Sequence, residues 1–169
     1  MNQQVFLDLV MPFKDKVYRL AKRLLISQDE AEDATQELYL KLWKNKNKLS
    51  SYKNVEAYAI TMTKNYCLDR LKSRQANNLK LVHSNYKDNI TNLQKKIELQ
   101  ESVNKVQELI NTLPEQQRMV MQLRDIEQYE FKEIEKMLQM KSNAVRVALS
   151  RARKIIREHL IKQNAYRLG

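Results

Sequence analysis

The stretch KSNAVRVALSRARKII, Lys141 to Ile156, decides the reading of this chain. At about 100° per residue, Val145, Leu149, Ala152 and Ile156 fall on one face of a helix, with Ala148 and Ile155 beside them. That face is core. The opposite face carries Asn143, Arg146, Val147, Ser150 and Lys154, with Arg157 a turn beyond. The first of these project from the N-terminal half, the part of a recognition helix that reaches base edges in a major groove. Arginine can grip a guanine edge with two hydrogen bonds, Asn143 can pair with adenine, and the Val147 methyls can meet a thymine methyl. Arg151, Arg153 and Lys154 suit phosphates, which position a protein without specifying sequence.

A solvated basic face would need no more than this charge, so the residues ahead of it matter. YEFKEIEKMLQ, from Tyr129, is short and amphipathic, and the tight connection QMKS follows it. Two helices so joined form a helix-turn-helix pattern. Charge is segregated around it. Residues 101–140 hold 5 basic and 8 acidic side chains, net −3, whereas residues 141–169 hold 8 basic and 1 acidic, net +7. A concentrated positive face favours a polyanionic partner over mere solubility.

The bulk composition agrees. The chain has 169 residues and a formal net charge of +11, and 43% of it is hydrophobic, enough for a core. Gly169 is its one glycine, and its prolines are Pro12 and Pro114. Sheets with tight turns need more of both, and glycine-rich phosphate loops are excluded. An all-α fold is expected. Cys67 is alone, so no internal disulfide can form, which suits a reducing cytosol. A small buried hydrophobe is its expected role. The opening MNQQVFLDLVMPFKDK lacks the pattern of a secretory signal, and no apolar run approaches the roughly 20 residues that span a bilayer. The chain is therefore expected in the cytoplasm. His83 and His159 have no companions at metal-ligand spacing, and no nucleophile–base set appears; neither an enzyme nor a cofactor is expected.

Upstream, Val5, Leu9, Phe13, Val17, Leu20 and Leu24 recur at helical spacing, with a break expected at Pro12. Ser27 is an expected N-cap for a second helix to about Lys44, with Ala31, Ala34, Leu38 and Leu42 facing inward. Trp43 is expected to pack. On the other side Asp33, Gln36, Glu37 and Leu40 form a small mixed patch suited to a basic protein surface. KNKNKLSSYKN reads as a polar, basic loop. A third helix, about Val55 to Arg74, would turn Ala59, Met62, Tyr66 and Leu71 inward. ANNLKLVHSNYKDNITNLQ, from Ala76, lacks a sustained period and reads as a linker. A helix over Ser102–Asn111 follows, then one with Pro114 in its first turn, running to about Asp125. Two small helical domains result: 1–75, a linker at 76–98, and 99–169.

Three stretches, EAEDATQELYLKLW, VEAYAITMTKNYCLDRLKSR and TLPEQQRMVMQLRDIEQYEFKEIEKMLQMKSNAVRVALSRARKIIRE, closely resemble the extracytoplasmic-function sigma factors of bacterial RNA polymerase. The resemblance covers nearly the whole chain except the linker. It implies that residues 1–75 are region two and residues 99–169 region four. It implies that Asp33, Gln36, Glu37 and Leu40 dock on the polymerase clamp. It implies that Lys48, Ser51, Tyr52, Lys53 and Asn54 in the loop, with Lys64 and Asn65 on the third helix, capture the minus-ten strand. For the minus-thirty-five duplex it implies Asn143, Arg146, Val147 and Ser150 on bases and Ser142, Arg151, Arg153 and Lys154 on the backbone. Core RNA polymerase and promoter DNA are the implied partners, and the chain is expected to be a monomer when free of polymerase. Many members are silenced by an anti-sigma factor, a partner that one sequence leaves open.

Two departures bear on the helix-turn-helix. Gln139 stands where a glycine is usual, and costs strain if its φ is positive. Lys141 stands where a serine cap is usual, with Ser142 next, which leaves the register of the recognition helix open by one position. No C-terminal extension is expected. The main rival is a stand-alone helix-turn-helix regulator that binds promoters without polymerase; it leaves the acidic patch unexplained. A membrane-surface protein is a weaker rival, because Ala148 and Ala152 suit close helix packing.

Overall fold

The structure, a computed structural model, describes the backbone of residues 1–78 and 97–167 and the side chains of residues 1–75 and 103–162. No strand occurs among the described residues. The helices are α1 (Gln3–Val10), α2 (Lys14–Leu25), α3 (Gln28–Lys44), a single turn α4 (Lys46–Leu49), α5 (Val55–Asn78), α6 (Ile97–Thr112), α7 (Glu115–Met121), α8 (Phe131–Leu138) and α9 (Ser142–Arg167). A 3₁₀ turn (Met11–Phe13) joins α1 to α2, and a π turn (Gln122–Ile126) extends α7.

α2, α3 and α5 pack mutually and form the first half. Ser27 caps α3, its hydroxyl accepting from the Glu30 N–H, and Asp29 and Glu30 complement the positive end of the helix dipole. Ala31, Ala34, Leu38 and Leu42 are buried as expected, and so is Cys67. Trp43 packs edge-on against Phe6, centroids 5.0 Å apart.

The stripe before Pro12 is one residue out of phase with the expectation. Phe6 and Val10 are buried, whereas Val5 is 51% exposed. Pro12 sits in the 3₁₀ turn, whose three-residue period replaces the α-helical one there. Counting the α period through the break therefore misplaces the face. The expected polar loop also holds an anchor, since Leu49 ends α4 fully buried. On α5 the buried positions are Ala59, Ile60, Thr63, Lys64 and Cys67, while Met62, Tyr66 and Leu71 are half-buried.

In the second half, α9 packs on α7, α8 and α6. α6 is longer than expected, and Val103 on it is exposed. Pro114 precedes α7 as its N-cap, extended at ψ 143°, rather than standing in the first turn. Glu130 and Glu133 close a reciprocal capping box on α8. Gln139 ends α8 in the left-handed region, φ 54° and ψ 43°. Its N–H donates to the Lys136 carbonyl, and the Met140 N–H reaches back to the Glu135 carbonyl at 3.0 Å. These two bonds make a Schellman ending. α9 starts at Ser142, with the Lys141 carbonyl accepting from the Val145 N–H, so Lys141 takes the cap position. Much of the expected linker lies outside the described residues; α5 runs into its first part and α6 begins before its end.

The halves also touch each other. α7 and the π turn lie on α2, and α8 lies on α5.

Candidate functional site

On α9 the division of faces is clean. Val145, Leu149, Ala152 and Ile156 are buried against α7 and α8. Ser142, Asn143, Arg146, Val147, Ser150, Arg151, Arg153 and Lys154 are all exposed. Val147 is exposed at 38%.

Two of the basic side chains are held in place. The Arg146 guanidinium lies 4.4 Å from the Phe131 ring centroid, and Arg124 lies 4.7 Å from the same ring. Arg124 is itself anchored by a 2.8 Å bond to the Tyr129 carbonyl. Phe131 thus gives Arg146 a platform, which lowers the rotamer freedom it must lose on binding. Arg153 forms a two-pronged pair with Asp125, at 3.0 and 2.5 Å, which raises its already high pKa. Arg153 must leave or share Asp125 to reach a phosphate. Sequence reasoning singled out neither Phe131 nor Asp125. Both lie on elements other than α9, and no periodicity connects them to it.

The α3 patch is solvent-facing at Asp33, Gln36 and Leu40, with Leu40 at 53%. Glu37 is half-exposed and meets Lys41 one turn on at 3.8 Å. Asp33 is 3.8 Å from Arg70, and Glu30 pairs with Arg70 and Arg74 on α5. Asp33 thereby ties the patch to α5. The exposed Glu37–Lys41 pair contributes little to stability.

In the loop, Lys48, Ser51, Tyr52, Lys53 and Asn54 are all exposed. Asn54 caps α5, its side-chain oxygen accepting from the Ala57 N–H at 2.9 Å. The Ser51 hydroxyl donates to the Lys48 carbonyl at 2.6 Å. Tyr52 stacks on Tyr58, centroids 4.1 Å apart and planes within 14°. One face of Tyr52 is therefore taken. Hydrogen bonding with Tyr52, then burial, holds the Tyr58 hydroxyl above the usual phenol range. Asn65 is exposed, but Lys64 does not join it at the surface. Lys64 is 6% exposed, and desolvation lowers its pKa. An apolar cleft of about 590 Å³ runs between α6, the π turn and α9, lined by Val106, Ile110, Met121, Ile126 and Ile156, with Arg23 of α2 at its edge.

Two family models match in chain order: Sigma-70 region 2 over residues 9–77, and Sigma-70 region 4 over residues 104–156. The chain belongs to the extracytoplasmic-function sigma factors. The sigma factor SigW of Bacillus subtilis is 25% identical, over 94% of this chain and 90% of that relative. SigK of Mycobacterium tuberculosis is 33% identical over 48% of this chain and 44% of its own length. Among solved structures, RpoE of Bartonella quintana, in complex with the anti-sigma factor NepR, matches with a TM-score of 0.79 at 18% identity, covering 93% of this chain and 97% of that one. CnrH, in complex with the cytosolic domain of CnrY, matches at 0.67 and 19%, over 95% and 90%. These two likenesses concern the fold. A sigma factor binds core RNA polymerase and directs it to promoters to begin transcription. No helix of this sigma factor, among the described residues, is long and apolar enough to cross a membrane.

Proposed function

We propose a division of labour in which residues 1–75 dock on polymerase and open the minus-ten element, residues 99–169 read the minus-thirty-five element, and residues 76–98 link them. Asp33, Gln36, Glu37 and Leu40 meet the polymerase. Lys48, Ser51, Tyr52, Lys53, Asn54 and Asn65 take the single strand, with Lys64 joining them once α5 is uncovered. Strand capture needs positive charge along the backbone and a surface for an unstacked base. The loop supplies the lysines, and the Tyr52–Tyr58 pair supplies an aromatic stack one base can extend. On α9, Asn143, Arg146, Val147 and Ser150 read bases, while Ser142, Arg151, Arg153 and Lys154 fix the duplex backbone.

The observation that carries this reading is the exposure of Asn143, Arg146, Val147 and Ser150 together on the half of α9 nearest the helix-turn-helix. The acidic face of α3 favours a polymerase-bound factor over a stand-alone regulator, because a DNA surface has no use for it. The protein acts in the cytoplasm and carries out no chemistry of its own. An anti-sigma factor is a fitting further partner, since RpoE, a sigma factor of the same fold, was solved in complex with one.

Reversing charge with Asp33→Lys and Glu37→Lys tests the docking face. Both side chains lie on the outer side of α3, so helix content should be unchanged while co-elution with core polymerase is lost. Intact promoter-dependent transcription by that double variant would reject the assignment.

A further inference from the structure

A second cavity adjoins the apolar cleft. It is a notch of about 210 Å³, lined by Tyr18, Lys22 and Arg23 of α2, Gln107 and Asn111 of α6, and Gln122 of the π turn. Arg23, Gln107 and Ile126 line both cavities, so the two open onto each other. Their chemistry differs. The cleft, about 590 Å³, is walled by Val103, Val106, Ile110, Met121, Ile126 and Ile156. Asp125, the carboxylate at its rim, is taken by Arg153. A space of this size with an apolar wall and a few polar groups at one end has the character of a small-molecule site.

The notch is cationic. Arg23 is 8% exposed. Its Nε and Nη1 donate to three neutral acceptors: Gln122 Oε1 at 3.0 Å, Asn111 Oδ1 at 2.8 Å and the Gln107 carbonyl at 3.2 Å. Among the described residues it forms no ion pair with a carboxylate. Burial, and then the neighbouring charge of Arg118, lower its pKa. Arg19 also borders the notch, but Glu127 holds two of its nitrogens at 2.7 Å. Lys22 stands exposed at the mouth. A buried guanidinium without an anion is unfavourable, and an anion lodged in the notch would offset that cost.

We propose that cleft and notch together form a binding site for a single-chain anionic amphiphile, an aliphatic chain with a carboxylate or phosphate head. The chain fills the cleft, and the head lies in the notch on Arg23 and Lys22. Neither cavity alone selects such a ligand. The cleft by itself would take any apolar body, and the notch any small anion. Their adjacency joins both requirements in one molecule. The site uses no residue assigned above to polymerase or promoter DNA, so it stands or falls apart from that reading.

Titration calorimetry of the full chain with octanoate, decanoate and dodecanoate, each below its micelle concentration, tests the site. A single ligand should bind per chain, each added methylene tightening binding by up to about fourfold. Dodecyl phosphate should bind like dodecanoate, dodecanol more weakly, and inorganic phosphate alone not measurably. Ile126 is 40% exposed, so Ile126→Trp can fill the cleft without disturbing the core, and it should abolish dodecanoate binding. Lys22→Glu should weaken dodecanoate by about fivefold and leave dodecanol unchanged. If the tryptophan variant loses helix content by circular dichroism, Val103→Glu, at a position 47% exposed, should weaken dodecanoate in its place. Affinity that ignores chain length, or dodecanoate binding untouched by Ile126→Trp, overturns the proposal. An equal effect of Lys22→Glu on acid and alcohol overturns the place of the head. Several ligands per chain with loss of helix content would be detergent action, and overturns the site. So does capture by anionic phospholipid vesicles without binding of the monomeric amphiphile, which would make this surface a membrane contact. A dimer that Ile126→Trp dissolves, with no amphiphile bound, would make it a contact between copies and overturns it equally.

Discussion

Replacing Gln139 by glycine should stabilise the chain and leave promoter preference alone. Gln139 holds φ 54° and ψ 43° at the end of α8, and its side chain is exposed. An L-residue costs about 1–2 kcal/mol in the left-handed region. Glycine removes that cost but loses about 0.5–1 kcal/mol more backbone entropy on folding. No packing is lost, and the backbone bonds of Gln139 and Met140 to Lys136 and Glu135 remain. The balance is a gain of roughly 0.5–1 kcal/mol. For a chain of this length, about 2–4 °C per kcal/mol gives a rise in Tm of about 1–4 °C. Circular dichroism of thermal and urea unfolding reads both this shift and the urea midpoint, whose slope should not change. Gln139→Val is the control. A β-branched residue fits this region worst, so Tm should fall. A glycine variant no more stable than the parent, or glycine and valine variants that behave alike, would refute the strain argument. A changed promoter preference would show that Gln139 does more than turn the chain.

Ile26 poses the same problem more sharply, with φ 58° on a β-branched residue that is 47% exposed. Ile26→Gly should stabilise by about 1 kcal/mol, and a loss of stability would mean its remaining contacts outweigh its strain. Arg146→Ala should relax preference at one upstream base pair, worth about 1–3 kcal/mol of discrimination. Phe131→Leu should have a milder form of the same effect, two- to fivefold, from about 0.5–1 kcal/mol of lost stacking; promoter competition assays that show no change for either would remove Arg146 as a reader. Burial pushes the Cys67 thiol up to about 12. At pH 8 it stays protonated and inaccessible, so iodoacetamide should modify it only after urea unfolding. Labelling of the native chain would show that α5 opens locally.

What could be read from the sequence follows how local the responsible physics is. The inward stripes of α3 and α9 were legible because each helix is long and uninterrupted, so Ala31 to Leu42 and Val145 to Ile156 keep one period throughout. The strain at Gln139 was legible because one position lacked the residue that its backbone prefers. The face of α1 was not, because the 3₁₀ turn at Pro12 changes the period within three residues. Leu49 was hidden for a related reason, as a lone hydrophobe in a basic run carries no period at all. The Phe131 platform and the Arg19–Glu127 pair depend on residues far apart in the chain, and periodicity is silent about those. The π turn adds a further obstacle. QLRDI reads like any helical stretch, yet its extra residue turns both Gln122 and Glu127 towards α2. Had the α period continued, the i+4 residue, Ile126, would have lain beside Gln122 in place of Glu127, and an isoleucine cannot bind Arg19. The contact between α2 and the π turn therefore depends on an irregularity that no amphipathic pattern records.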